Sequence, residues 1–287
     1  IKESGIGLAC EEAARIILSE NRPFSMETAA CDEEYEPSSE YDSSFALQIF
    51  AAREAVFKIL AKESLSIHEK LIVILDMGSK IQQCINTDEY DNIKSVVNDY
   101  LKEGIAHTLD ETRNLSDSGQ FEDISLQQGI RQILYPYEEM EVLNPEWEVI
   151  LKDIIDSLFE QMSDEEYNIL NEEFGTYMVS RAYEYRQLLE YLVFRYFAKS
   201  IYDYDFLGKC QMLVTNFFVI RQMDIIRWLD NHREYSFKDR MDVVHIFSRQ
   251  VEYSEDNIEN LYEDFIFDDI FKTDSLIAIL WIDSENI

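Results

Sequence analysis

The chain is short of turn-forming residues and of positive charge. Its 287 residues include only 8 Gly and 4 Pro, whereas strands joined by tight turns draw heavily on both. Helices are therefore expected. Lys and Arg number 25 against 58 Asp and Glu, a formal net charge of −33. That balance excludes a polycationic nucleic-acid binder, because affinity for phosphates rests on clustered Lys and Arg. It would equally keep the chain off anionic lipid. Cysteine is scarce: Cys10, Cys31, Cys84 and Cys210 are too few and too scattered for a disulfide framework, which points to a reducing, cytoplasmic setting. Long apolar runs are missing as well. Residues 276–281 form a short run and 211–220 are interrupted by Thr215 and Asn216, so nothing reaches the roughly 18 apolar residues of a membrane span. The chain begins Ile1-Lys-Glu-Ser without an initiator Met or a secretory signal, which sets the expectation of an internal fragment.

What the chain does hold is core material. Hydrophobic residues make up 46% and aromatics 13%, with 17 Phe and 17 Tyr, far more than an acidic disordered chain carries. Helical spacing with start signals recurs along its length. Cys10-Glu-Glu-Ala-Ala-Arg-Ile-Ile-Leu18 opens with acids in its first turn, where the helix dipole favours them, and Asn21-Arg-Pro23 stops it. Residues 25–44, rich in Ser and acids, read as a solvated loop. The helix 45–60 follows. Ser66-Ile-His-Glu69 is a capping box ahead of Leu71-Ile-Val-Ile-Leu75, so these two helices should form a hairpin. Residues 88–102 read as a further helix and 114–120 as a turn. Asn144-Pro145 starts a helix that should reach about Met162, and Ser163-Asp-Glu-Glu166 repeats the capping logic. Two long apolar-rich helices, 181–201 and 206–229, are the expected core, and 238–253, 254–267 and 273–283 are shorter helices. The fold class is all-α, an irregular multi-helix bundle.

No complete metal-binding or catalytic motif is present. Cys-x-x-Cys and His-Glu-x-x-His are absent, as are a Gly-rich phosphate loop and a Gly-x-Ser-x-Gly elbow. The nearest fragment, Asp242-Val-Val-His245, reads as a surface hydrogen bond, and His68, His107 and His232 as partly exposed histidines. Cys10, before two acids at a helix start, is either a thiolate available to a metal or a small buried apolar residue. The segment Tyr183-Glu-Tyr185 to Tyr196-Phe197 is core packing or an aromatic cage for a cationic amine. Acidic runs at 138–141 and 264–274 are solvated faces that would draw a Lys-rich partner.

Leu8-Ala-Cys-Glu-Glu-Ala-Ala-Arg-Ile-Ile-Leu18 resembles the Ser-Cys-Pro-Glu-x-Ala-Arg-Leu-Ile-Leu stretch of the flagellin lysine-N-methylase family. Ser64-Leu-Ser-Ile-His-Glu-Lys-Leu71, Leu189-Glu-Tyr-Leu-Val-Phe-Arg-Tyr-Phe197 and His245-Ile-Phe-Ser-Arg-Gln-Val-Glu252 agree in order, the last being similar to the family's Phe-Ser-Arg-x-x-Glu-His. The resemblance implies methyl transfer from S-adenosylmethionine to a lysine ε-amine of flagellin or another lysine-bearing protein. It also implies an iron-sulfur cluster or zinc held by cysteines, with Cys10 the last of the set. On that basis residues 1–20 end a cysteine-rich metal-binding region and 21–287 are the helical domain, weakly subdivided near 136–144. Arg15 and Arg249 match family arginines and become candidate cofactor-binding residues. Glu11 stands where the family has Pro, and Tyr253 where it often has His. The catalytic base is left open. A non-catalytic acidic helical module that docks a basic partner is the alternative from another class, and a DNA-mimicking acidic protein ranks last.

Overall fold

The computed structural model describes residues 7–22, 24–26, 43–117 and 124–285, and among them the chain is all-α with no strand. Helix α1 (Glu11–Leu18) starts the described chain, followed by α2 (Ser43–Leu60) and α3 (Ile67–Asn86). Then come α4 (Ile93–Asp99), α5 (Ile105–Asp117), α6 (Leu126–Glu138), α7 (Pro145–Ile154), α8 (Asp164–Met178), α9 (Ala182–Tyr196) and the short α10 (Ser200–Asp203). The last are α11 (Leu207–Asp230), α12 (Phe237–Phe247), α13 (Glu255–Phe267) and α14 (Thr273–Glu285).

The starts expected from local spacing are made as expected. Ser66 with Glu69 and Ser163 with Glu166 form reciprocal capping boxes, and Asn144 caps α7 with Pro145 at its first position. The loop expected over 25–44 lies mostly outside the described residues, α2 already beginning at Ser43. The turn expected over 114–120 is helix as far as Asp117, and the rest of that stretch is likewise outside. Pro136 sits within α6, where its missing donor affects only the last turn before Glu139.

Three helices lose α-geometry without ending. Tyr100–Gly104 after α4, Ile155–Glu160 after α7 and Ser248–Glu252 after α12 are π-helical turns. This is why the helices expected over 88–102, 145–162 and 238–253 read as single units: their apolar spacing continues across the change of pitch.

The core is organised around α11, which packs against α3, α6, α7, α9, α12, α13 and α14. Residues from Gly208 to Ile226 are buried without interruption, so α11 is covered on every face up to its last turn. At Gly78 of α3 the two helices come so close that an added Cβ would stand 2.5 Å from the Cys210 Sγ. The polar residues of α11 are answered by separate neighbours. Lys209 pairs with Asp203 at 2.7 Å and lies over the Tyr262 ring at 3.9 Å. Arg221 reaches Asp283 of α14 at 3.3 Å, and that carboxylate also bonds His68 at 2.7 Å. His68, expected to be partly exposed, is therefore only 5% exposed: its partner lies 215 residues away. Asp224 accepts from Arg240 of α12 at 2.6 Å and from the hydroxyls of Tyr185 and Tyr235. The other side of the Arg240 guanidinium donates to Glu184 at 2.9 Å. The Tyr-rich face of α9 thus serves the core, with Arg240 lying 4.5 Å over the Tyr185 ring.

Candidate functional site

A solvent-open groove of about 590 Å³ runs between α7, α11 and α12. Each wall is one helical stripe at i, i+3, i+4 and i+7 spacing, which brings four side chains to the same face. From α7 come Glu146, Val149, Ile150 and Asp153; from α11, Met223, Ile226, Arg227 and Asp230; from α12 and its π-turn, Asp242, His245, Ile246 and Arg249. Five aliphatic and thioether side chains supply the apolar lining. Around them stand four carboxylates, two guanidiniums and one imidazole, with the buried cap residue Asn144 at one end.

The groove is held in place from behind. Gln250, on the same π-turn as Arg249, accepts from the backbone amides of Leu143 (2.9 Å) and Asn144 (3.2 Å) and donates to the Glu141 carbonyl (2.7 Å). Asn257 adds a bond from the Glu141 amide at 2.9 Å and one to its carbonyl at 3.0 Å. The segment leading into α7 is thereby clamped to the turn that carries Arg249. A π-turn widens the helix by one residue, and such turns are frequent where a helix must present a functional side chain.

Of the residues expected from sequence, Asp242, His245 and Arg249 come together here. Arg249 is exposed in the groove and makes no ion pair or hydrogen bond with any described residue, in a chain with 58 acidic side chains. The Nδ1 of His245 is buried and has no hydrogen-bond partner among the described residues. Arg15 is placed differently: it is exposed on α1 and its Nε bonds Glu12, three residues away, at 2.8 Å. Cys10 is exposed just before α1 and its side chain makes no capping bond. Among the described residues no group of three His, Cys, Asp or Glu side chains could hold a metal ion, and Cys31 lies outside them. Sequence reasoning passed over Glu146, Asp153, Arg227 and Asp230. A usable signal was there: charged residues recur at 227 and 230 beside Met223 and Ile226, at the end of an apolar-rich helix.

Among the described residues the chain is an all-α domain with a charged, mixed-polarity groove open beside a buried core. No helix among the described residues is long and apolar enough to cross a membrane. The model of the FliB lysine N-methylase C-terminal domain matches residues 53–279, about four fifths of the chain, and the chain belongs to that family. The match spans all three groove walls and starts beyond Cys10 and Arg15. No curated protein and no solved structure matches the chain.

Proposed function

We propose that this chain is the helical part of a protein lysine methyltransferase that acts on flagellin with S-adenosylmethionine as methyl donor, and that the groove receives both reactants. The observation that carries the reading is the Arg249 guanidinium, unpaired among the described residues, in a groove lined by four carboxylates and apolar side chains within the family-matched region. The groove volume falls in the range of small-ligand sites, roughly 300 to 1,000 Å³. Its residue types fit the donor. Arg249 suits the donor's carboxylate, the acidic walls suit its hydroxyls and cationic sulfur, and the apolar lining suits its base and the lysine stem. When bound, the donor supplies an electrophilic methyl group. The protein's part is to align a lysine amine with that methyl and to hold the amine unprotonated, so the groove carboxylates Glu146, Asp153, Asp230 and Asp242 and the imidazole of His245 are the groups available to bind or deprotonate it. Arg15, on the far side of its ion pair with Glu12, has the weaker case for touching the donor.

The iron-sulfur cluster or zinc implied by the resemblance does not fit the described residues, since Cys10 brings one thiolate where such a centre takes about four ligands. No step is derived through it. A docking module for a basic partner has support from the same groove, where carboxylates outnumber guanidiniums. One experiment separates the two: incubate the full protein with S-adenosylmethionine and flagellin, then map lysines by mass spectrometry. Methylated lysines are expected. Flagellin that binds but gains no methyl group favours the module.

A further inference from the structure

The π-turn Ser248–Glu252 sends its side chains in three directions. Arg249 enters the groove and Gln250 clamps the entry to α7. Glu252 points the other way, into a buried cluster under the N-terminal segment. Its Oε2 accepts from the hydroxyls of Tyr191 (2.7 Å) and Tyr196 (3.3 Å), with the Arg195 Nε 3.8 Å away. The same Tyr191 hydroxyl accepts from the backbone amide of Leu8, at 3.3 Å. Leu8 is 1% exposed and α1 packs on both α9 and α12. Glu252 is 8% exposed, its Oε1 has no hydrogen-bond partner among the described residues, and burial pushes its pKa above the usual carboxylate range. A carboxylate is expensive to bury unless it is hydrogen-bonded, and here the two tyrosine hydroxyls supply those bonds. One hydroxyl thus joins the seat of the N-terminal segment to the turn that presents Arg249.

We infer that Glu252 and Tyr191 are positioning residues: they tie the register of the π-turn, and so the presentation of Arg249 to the groove, to the seating of the chain at Leu8. A loosened N-terminal segment frees Tyr191 and unclamps the turn, and the groove loses its guanidinium. The link to ligand binding rests on the groove reading proposed above. The link between the two segments does not.

The test is amide hydrogen exchange on the whole chain, read by mass spectrometry, together with equilibrium binding of S-adenosylhomocysteine. In Tyr191→Phe, exchange at residues 7–18 and at 248–252 should rise together by about tenfold, as expected for loss of a hydrogen bond to a charged group. Amides of α11 should stay protected, and affinity for the probe should fall several-fold. A rise confined to 7–18 overturns the inference, and paired loosening with unchanged probe affinity overturns the link to Arg249. Should Tyr191→Phe also open α11, deletion of residues 1–10 decides: the turn 248–252, untouched by the change, must lose protection, and unchanged protection there refutes the coupling. A wild-type chain that binds no S-adenosylhomocysteine refutes the groove reading while the exchange data still judge the coupling.

Discussion

Replacing Arg240 with Met removes the one cation between Asp224 and Glu184. Arg240 and Asp224 are both 0% exposed and Glu184 is 1% exposed, so neither carboxylate can turn to water instead. Glu184 keeps Arg181, whose Nε lies 2.7 Å away, but among the described residues Asp224 is left with only the hydroxyls of Tyr185 and Tyr235. Breaking a buried pair by removing one partner costs about 3–5 kcal/mol. For a chain of this size that amounts to a fall in Tm of roughly 6 to 20 °C. The pH dependence carries a distinct signature. Burial already pushes the Asp224 pKa upward against the pull of Arg240, and without that cation the rise becomes larger. The folded variant then binds more protons than its unfolded chain, so its stability falls as pH rises, by up to about 1.4 kcal/mol per pH unit per proton. Urea unfolding from pH 5 to 8 should show Arg240→Met losing ground on the wild type as pH increases. Adding Asp224→Asn should recover part of the loss and flatten the slope. A cost below about 1 kcal/mol, typical of an exposed pair, or a double variant no better than the single one, would refute the reasoning.

Gly78→Ala should cost about 1–3 kcal/mol, because its Cβ would meet the Cys210 Sγ at 2.5 Å, and most of that should return when Cys210→Ala is added in a double-mutant cycle. Burial alone would raise the Asp283 pKa, but Arg221 and then His68 overcome it and the net direction is down. Its stabilisation is therefore present above the unfolded pKa of about 3.9 and lost as pH falls through the lower folded value. Asp283→Asn should be strongly destabilised at pH 7 and converge on the wild type in urea unfolding below about pH 4; a gap independent of pH would contradict this. Arg249→Ala should weaken S-adenosylhomocysteine binding by about tenfold or more in calorimetry, as loss of a charge-assisted bond implies. Arg15→Ala should leave it unchanged, its guanidinium being engaged with Glu12 at the surface, and equal losses in both would place the donor elsewhere.

Local features were legible in the sequence because their partners lie within one helical turn. Ser66 and Glu69, Ser163 and Glu166, and Asn144 ahead of Pro145 each state their own role at three residues' distance or less. The all-α class and the family followed from such signals and from ordered short motifs. Contacts across the chain were not legible. Nothing near His68 announces Asp283, and the hydroxyls of Tyr191 and Tyr196 belong to an aromatic run whose target, Glu252, lies more than fifty residues on. The candidate site falls between these cases. Asp242, His245 and Arg249 form a visible stripe, but they become a groove only when α7 and α11 bring stripes of their own. The π-turns escaped notice because a widened turn leaves the apolar pattern almost intact.

Those three π-turns also constrain how the chain can vary in length. Each holds one residue more than α-geometry needs, and removing it would return the segment to α-geometry and redirect the side chains within the turn itself. At Ser248–Glu252 the change would shift Arg249 in the groove and Glu252 in its cluster with Tyr191 in a single step. Single-residue deletions, usually absorbed in loops, should therefore be tolerated here less well than most substitutions, and the spacing between His245 and Ser254 becomes a structural dimension in its own right.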